Sequence, residues 1–267
     1  MLQSRPMTYP EISPIIFQVG PLAVRWYGVM YLIGFALCYW LLRRRARSSE
    51  AWSVKDVEDL IFFGAIGVIA GGRLGYVFLY QLPTFLDDPL YLLRLTQGGM
   101  SFHGGLMGVL IAIGWFARTR DRAYFDVADF LVPGAPLGLL FGRIGNFING
   151  ELWGKPTTVA WGFDVNGQRL HASQLYEAFL EGLVLFAVLW LFSSRSRPRM
   201  AVSGLFLMLY GVFRFIVEFV REPDAHLSYL AFDWVTMGQI LSTPMILAGA
   251  AMLVIAYRRG QVAGAPL

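Results

Sequence analysis

The stretch that decides the fold class is WYGVMYLIGFALCYWLL at residues 26–42, which is followed directly by RRRAR at residues 43–47. A helix needs ~20 predominantly apolar residues to cross ~30 Å of hydrocarbon, and this run comes close to that length. A cluster of arginines directly after such a run is typical of the cytoplasmic end of a transmembrane helix. Residues 26–42 therefore predict a membrane-spanning helix whose C-terminal end faces the cytoplasm.

Similar apolar stretches recur along all 267 residues of the chain. Hydrophobic residues make up 56% of the sequence, charged residues only 15%, and the mean hydropathy is +0.54, which excludes an ordinary water-soluble domain. Candidate spans are residues 26–42, 59–80, 99–117, 124–149, 173–192, 201–220 and 235–257. No long polar segment separates them. We therefore expect an all-α integral membrane protein with about seven transmembrane helices in a single membrane domain, residues 1–267.

Basic clusters predict the orientation of these helices. The clusters follow the first, third, fifth and seventh spans, at residues 43–47, 118–122, 195–199 and 258–259. Because short arginine-rich loops stay in the cytoplasm, we expect the N-terminus outside and the C-terminus inside. The same clusters account for the net charge of +4 and the pI near 9.3, so no nucleic-acid partner is expected.

Two polar regions are predicted on the outer side. Residues 1–25 form an interfacial arm, and residues 150–172 form a small head inserted between two spans. Within the head, Asn166-Gly167 separates two short alternating segments, which predicts a β-hairpin with a two-residue turn. Residues 10–22 and 85–95 mix apolar and polar side chains and are too short to span, so we expect them in the outer interface.

Several ionisable residues within the predicted spans lie at similar depth. A helical rise of 1.5 Å per residue places Arg73, His103, Arg143 and Arg214 roughly 7 to 12 Å below the outer ends of their helices. A charge in the membrane centre costs ~2.5 to 3.5 kcal/mol, so such residues normally face the interior of a bundle. The shared depth predicts a polar site near the outer surface.

Polar stripes on single helices point to the same interior. Residues three, four or seven apart share a face, and four such stripes occur: Arg73, Tyr76 and Tyr80; Arg143, Asn146 and Gly150; Gln174, Glu177 and Glu181; and Tyr210, Arg214, Glu218 and Arg221. Glu218 could alternatively serve only to neutralise Arg214 within one helix. Arg143 has no carboxylate at four-residue spacing on its own helix, which suits an anionic ligand. GRLGYVFLYQL at 72–82 resembles GRIGNFINGEL at 142–152, which weakly indicates a two-helix repeat.

The histidines and the single cysteine do not predict a metal site. His103 stands in MSFHGGL and is a candidate base, with hydrogen-bonded packing as the alternative, whereas His171 and His226 are interpreted as outer-loop residues. The spacings H-E-x-x-H and H-x-x-E-H are absent from the sequence. Ser101 lacks the context of a protease nucleophile, and Cys38, inside the first span, is expected to pack.

Arginines at this depth favour chemistry on a lipid. Guanidinium groups bind phosphate through paired, charge-assisted hydrogen bonds, and a site open sideways to the bilayer would admit a lipid headgroup. A transporter or flippase for an anionic lipid or solute is the alternative function. It requires an inward polar path, but the cytoplasmic halves of the second, third and sixth spans are almost wholly apolar. The sequence also lacks a pair of broken helices in inverted positions.

Four motifs resemble those of the bacterial prolipoprotein diacylglyceryl transferases. They are HGGL from His103, GRIGNFINGE at 142–151, HASQLYE at 171–177, and YGVFR at 210–214 followed by EFVR at 218–221. The resemblance runs from WYG at Trp26 to MGQIL at 237–241. It implies an enzyme of the bacterial cytoplasmic membrane, with its active site toward the periplasm, that needs no metal or other cofactor. Its substrates would be phosphatidylglycerol and the signal peptide of a prolipoprotein with its lipobox cysteine.

The resemblance also assigns roles to residues. His103 is the implied base, and Arg143 and Arg214 are the implied phosphate contacts, so these three are the predicted catalytic residues. Further predicted substrate-binding residues, some from the resemblance and some from the polar stripes, are Asn146, Glu151, Gly154, Tyr27, Tyr210, Arg73, Glu218 and Arg221. The implied reaction moves a diacylglyceryl group to the cysteine thiol and releases glycerol phosphate. Glu151 and Tyr27 are the alternative proton acceptors.

Overall fold

The computed structural model describes residues 7–260 except positions 11, 21, 96–97, 223–229, 231 and 233. The α-helices are α1 (Trp26–Arg47), α2 (Val54–Tyr80), α3 (Leu82–Asp87), α4 (Phe102–Thr119), α5 (Tyr124–Leu131), α6 (Ala135–Ile148), α7 (Ser173–Glu177), α8 (Leu185–Phe192), α9 (Ala201–Val217) and α10 (Met237–Arg259). Short 3₁₀ turns occupy Pro89–Leu93 and Val132–Gly134, and a π-helical stretch, Ala178–Val184, joins α7 to α8. The strands are β1 (Met7–Thr8), β2 (Ile15–Val19), β3 (Leu22–Arg25), β4 (Phe163–Val165) and β5 (Gln168–Leu170).

Five helical segments in the described part of the chain are long and apolar enough to cross a bilayer. They are Trp26–Arg47, Val54–Tyr80, Tyr124–Ile148, Ser173–Phe192 and Met237–Arg259. The prediction of a predominantly helical membrane protein is therefore confirmed. Helices α4 and α9 occupy the third and sixth predicted spans, and α9 is apolar but shorter than the five. The count of seven spans stays a prediction.

Helix caps move two helix starts away from the predicted boundaries. Helix α2 begins at Val54, not residue 59, because the Ser53 hydroxyl accepts from the Asp56 amide at 3.0 Å and the Asp56 carboxylate accepts from the Ser53 amide at 3.0 Å. This reciprocal capping box satisfies two amides that the first turn leaves unpaired. Thr236 and Gln239 cap α10 in the same way. Apolarity marks where a helix enters hydrocarbon, whereas the cap marks where it begins.

The chain forms two compact units. The first unit contains Met1–Leu41 and Leu131–Leu267, and the second unit contains Leu42–Phe130. In the first unit, α8 and α9 pack around Leu185, Leu189 and Val202. A single membrane domain for the whole chain stays a prediction.

Glycines set the close packing of α2 against α4 in the second unit. A Cβ atom on Gly75 would lie 2.7 Å from the Gly104 Cα, and one on Gly67 would lie 2.5 Å from the Gly108 carbonyl oxygen. Both contacts are shorter than any side chain tolerates, so the two backbones touch only because these positions lack a Cβ. The contact fixes the first turn of α4, which carries His103.

The predicted hairpin of the head is confirmed. Strands β4 and β5 are antiparallel, with Val165 opposite Gln168, and Asn166 and Gly167 form the turn with φ of 54° and 82°. Strand β1 from the N-terminal arm adds to this sheet parallel to β4. Next to it, Tyr9 donates to the carbonyls of Phe147 and Ile148 at the end of α6, at 2.8 and 2.9 Å. The arm therefore fixes the C-terminal end of the helix that carries Arg143.

Candidate functional site

Glu177 is the centre of a buried cluster of charges in the first unit. It is the last residue of α7, and its side chain is fully buried. The Nε of Arg143 on α6 lies 3.0 Å from Glu177 Oε2. Arg221, in the turn after α9, donates to Oε1 at 3.1 Å, and Arg214 on α9 donates to the same oxygen. One carboxylate thus joins guanidinium groups from three parts of the chain.

Two further glutamates complete the cluster. Glu218 Oε2 lies 2.9 Å from Nη2 of Arg214 and 3.9 Å from Nε of Arg221. Glu181 Oε2 lies 3.9 Å from Nη2 of Arg143. Three arginines therefore face three glutamates. In a low-dielectric interior, removing one partner of such a pair costs ~3 to 5 kcal/mol because the other charge is left uncompensated.

The arginine side chains of the cluster are more exposed than the carboxylates that hold them. The side chains of Arg143, Arg214 and Arg221 are 20%, 16% and 13% exposed, whereas those of Glu177 and Glu181 are 0% exposed. The glutamates therefore lie behind the guanidinium groups. The accessible edges of the cluster are positively charged, which is the arrangement that binds an anion through charge-assisted hydrogen bonds.

Arg143 has carboxylate partners that its own helix does not supply. The spacing along α6 predicts none, but Glu177 and Glu181 approach from α7 and the π-helical stretch. Glu218 does neutralise Arg214 four residues before it, as one interpretation holds, yet Arg214 also donates to Glu177. Both arginines are thus oriented by Glu177, a residue outside the predicted site set although it belongs to one of the predicted polar stripes.

Gly238 lies against the carboxylate of Glu218, one of the three glutamates of the cluster. A Cβ atom at this position would lie 2.5 Å from Glu218 Cδ and 2.6 Å from each of its carboxylate oxygens. A methyl group here would require the Glu218 carboxylate to shift away from the first turn of α10. This contact joins α10 to the ion pairs on α9, and no spacing within either helix predicts it.

The polar residues at the end of α6 bind one another. Asn146 and Asn149 both donate to Glu151 Oε1, at 2.7 and 3.2 Å, and the Glu151 amide donates to the Asn146 carbonyl at 3.1 Å. Gln174 Nε2 donates to the Glu151 carbonyl at 3.2 Å. These bonds satisfy backbone groups that the helix end leaves unpaired, and they fix the segment one turn beyond Arg143.

Gly154 connects the head to the segment that carries Arg221. The Gly154 amide donates to the His171 carbonyl at 2.8 Å, and Gly154 pairs with Arg221 in an antiparallel bridge. A Cβ atom here would overlap the Val220 carbonyl oxygen and lie 3.0 Å from His171 Cβ. Gly154 therefore permits a backbone approach that places Arg221 next to Glu177.

The two predicted tyrosines lie on helices of the first unit. Tyr27 lies in the first turn of α1, and its hydroxyl lies 3.2 Å from that of Tyr31. Its ring covers Gly145, one turn from the end of α6. Tyr210 lies one turn before Arg214 and stacks on Phe206 with ring centroids 5.9 Å apart. Tyr27 therefore packs on the arginine-bearing helix α6, and Tyr210 is part of α9, the helix that carries Arg214.

His103 and Arg73 belong to the second unit. His103 is exposed in the first turn of α4, two residues after the capping residue Ser101. Arg73 is only 2% exposed. All of its described hydrogen bonds go to backbone carbonyls of one loop: Tyr91, Leu92 at 3.0 Å, Gly98 at 2.7 Å and Gly99 at 3.3 Å. Arg73 and Arg143 thus have different partners despite the similar sequence around them.

His171 lies outside the charge cluster. His171 Nδ1 lies 3.1 Å from the Tyr176 hydroxyl, and burial lowers the pKa of its imidazole below the ordinary 6.5. His226 lies outside the described residues. Among the described residues, no group of three or more histidine, cysteine, aspartate or glutamate side chains could hold a metal ion.

Comparison with known proteins identifies the family. The profile of the prolipoprotein diacylglyceryl transferases matches residues 14–255. The phosphatidylglycerol–prolipoprotein diacylglyceryl transferase of Methylococcus capsulatus is 58% identical over 95% of this chain and 98% of its own length. The protein of that name from Azotobacter vinelandii is 56% identical over 95% and 97%, respectively, and that from Pseudomonas aeruginosa 52% identical over 95% and 97%. The chain belongs to the prolipoprotein diacylglyceryl transferase family.

Proposed function

We propose that this protein transfers the diacylglyceryl group of phosphatidylglycerol to the lipobox cysteine thiol of prolipoproteins. Glycerol phosphate is the second product, and the reaction is the first step of bacterial lipoprotein maturation. The observation that carries the proposal is the convergence of Arg143, Arg214 and Arg221 on Glu177, with the guanidinium groups on the accessible side. The printed names of relatives at 52% to 58% identity support the same substrates.

In this proposal the arginines bind the phosphate of the lipid. Arg143 and Arg214 offer donors to the phosphodiester, and Glu177 holds both guanidinium groups in place. During transfer the bond between the glyceryl carbon and the phosphate oxygen breaks, and its electron pair stays on that oxygen. The developing charge is stabilised by cations already in position, which is the largest contribution in many such reactions.

The nucleophile in this reaction belongs to the substrate. Sulfur attacks as the thiolate, so a base is needed for the thiol proton, and we assign this role to His103. Glu151 and Tyr27 remain the alternative acceptors. Glu151 accepts from two asparagines, which favours a role in fixing the end of α6. Tyr27, Tyr210, Asn146 and Gly154 are assigned to the walls and supports of the lipid site.

Three more residues are assigned to the substrate site, each with a different role: Arg73, Glu218 and Arg221. Four carbonyl partners in the loop before α4 support a positioning role for Arg73. Glu218 orients Arg214, and Arg221 shares Glu177 with it. Arg221 therefore adds positive charge at the edge of the phosphate site.

For the membrane arrangement, we propose seven spans with the N-terminus in the periplasm and the C-terminus in the cytoplasm. Basic residues in the last turns of α1, α4 and α10 support this orientation. The protein would then be a multi-pass protein of the bacterial cytoplasmic membrane, in which residues 1–267 form one membrane domain. The cluster around Glu177, the arm at 1–25 and the head at 150–172 would lie toward the periplasm.

The test of the function is a transfer assay with a lipobox peptide and labelled phosphatidylglycerol. The expected result is a diacylglyceryl peptide together with glycerol phosphate, and Arg143→Ala and Arg214→Ala should each lower kcat/KM by at least ~10²-fold. Arg94→Lys is the matched control, since Arg94 is exposed and pairs with Asp88 at 2.5 Å. Movement of intact lipid without glycerol phosphate release would instead support the transporter or flippase. His103→Gln with a near wild-type rate would exclude His103 as the base.

A further inference from the structure

Glu181 is a buried carboxylate that the proposed chemistry leaves without a role. Its side chain is 0% exposed, and neither of its oxygens accepts a hydrogen bond from any residue that the structure describes. It lies in the π-helical stretch Ala178–Val184, and such stretches frequently occur at functional sites. A buried carboxylate without donors is costly, so its presence beside the arginines needs a physical reason.

An ionised Glu181 would act on Arg143 through its charge. Glu177 Oε2 lies 3.0 Å from the Nε of Arg143, and its other oxygen accepts from Arg214 and Arg221, while Glu181 lies 3.9 Å from Nη2 and accepts no hydrogen bond at either oxygen. Glu177 therefore orients the guanidinium, whereas Glu181 contributes mainly its field. A negative charge at this distance reduces the attraction that Arg143 exerts on any other anion.

In the proposed reaction, a weaker attraction between Arg143 and anions would help the product to leave. The phosphodiester of the lipid carries one negative charge, whereas a phosphate monoester carries about 1.5 to 2 at neutral pH. An unopposed group of three arginines would therefore bind the released glycerol phosphate more tightly than the substrate. Product release would then limit turnover.

We propose that Glu181 is a positioning residue that weakens phosphate binding by Arg143 enough for glycerol phosphate to leave. The inference rests on the proposed function, because the ligand is the product of that reaction. With Arg143, Arg214 and Arg221 against Glu177, Glu181 and Glu218, the cluster has as many acidic as basic side chains. Glu181 adds a negative charge to the cluster without accepting a hydrogen bond that would hold a guanidinium in place.

The test compares glycerol phosphate binding by the full-length protein and its Glu181 variants. The affinity is measured by calorimetry in detergent without phosphatidylglycerol, alongside the transfer assay. Glu181→Gln keeps the shape of the side chain and removes the charge, so glycerol phosphate should bind on the order of tenfold more tightly. Both kcat and the KM for phosphatidylglycerol should fall, since product leaves more slowly. A purely structural role for Glu181 predicts weaker binding instead.

Two other variants complete the experiment. Glu181→Asp withdraws the charge by one methylene and should tighten binding by a smaller factor of about two to three. It decides the question alone if Glu181→Gln does not fold. Glu50→Gln removes one exposed carboxylate and should leave affinity unchanged. If both Glu181 variants keep transfer activity but bind glycerol phosphate with affinity equal to or weaker than that of the wild type, the inference is overturned and the proposed function stands. A wild-type protein with no affinity for glycerol phosphate overturns the phosphate site and the inference together.

Discussion

Replacing Glu177 with glutamine should disorganise the whole arginine cluster. The amide keeps the volume of the carboxylate but presents one oxygen instead of two and no charge. Arg143, Arg214 and Arg221 would then lose the common partner that sets their orientation. The variant therefore removes the central ion pair while leaving every arginine in the chain.

The size of the effect follows from the distances. Two unit charges 3.0 Å apart, as for Arg143 and Glu177, attract by about 5.5 kcal/mol at an effective dielectric constant of 20. Desolvation offsets part of this, and removing one member of a buried pair costs ~3 to 5 kcal/mol net. At about 2 °C per kcal/mol for a chain of this size, the melting temperature should fall by roughly 6 to 10 °C. Loss of orientation at Arg143 and Arg214 should lower kcat/KM by about 10²-fold.

The assay is thermal unfolding of the purified protein in detergent, combined with transfer to a lipobox peptide. Glu50→Gln is the matched control, because it removes one exposed carboxylate and should shift the melting temperature by no more than ~1 °C. The result also distinguishes Glu177 from Glu181, whose neutral variant should bind glycerol phosphate more tightly. A Glu177→Gln protein with wild-type melting temperature and activity would refute the central role of this carboxylate.

Three further variants or conditions test the supports of the cluster. Gly238→Ala would place a methyl group 2.5 Å from Glu218 Cδ, so it should cost ~1 to 3 kcal/mol and lower transfer activity, and an unchanged melting temperature and rate would contradict the contact. Gly154→Ala should destabilise by a similar ~1 to 3 kcal/mol, because its Cβ would overlap the Val220 carbonyl, and a fully stable, active variant would contradict this. Burial lowers the pKa of His171 from 6.5, so its contribution to stability is present above pH 6.5 and is lost as pH falls through the folded-state value. Exchange of the Gly154 amide, which donates to the His171 carbonyl, should accelerate below pH 6.5 after correction for intrinsic rates; constant protection would exclude the linkage.

Hydropathy and turn chemistry predict much of the fold from sequence. The run from Trp26 gives α1 its start, and Asn166-Gly167 gives the hairpin its turn and register. Helix starts at the membrane surface are less predictable from apolarity. Lys55 and Asp59 lie in the first turns of α2, which look polar, although Ser53 already caps the helix.

The sequence does not predict which side chains pair between different helices. Spacing predicts contacts within one helix, so it relates Arg214 to Glu218 but not Arg143 to Glu177, which lie on different helices. The sequence does contain a signal for Glu177 and Glu181, since both belong to a polar stripe. A site that is expected to bind an anion, however, draws attention to basic residues. Its carboxylates are then easily interpreted as residues of a helix end or of the solvent-exposed surface. The π-helical stretch that carries Glu181 has no signature in hydropathy.

The stretch FGRIGNFINGELWG at residues 141–154 shows how polar residues at the end of an apolar helix find partners. Arg143 contributes to the charge cluster, and Asn146 donates to Glu151, which fixes the end of the helix beyond it. Gly154 then pairs with Arg221, so the same stretch positions a second arginine of the cluster through the backbone. One segment therefore places two guanidinium groups beside Glu177, one directly and one through the head. Because Arg143 contributes charge and Gly154 contributes backbone approach, Arg143→Ala should lose both phosphate binding and the stability of the ion pair with Glu177, whereas Gly154→Ala should lose stability through the displaced backbone.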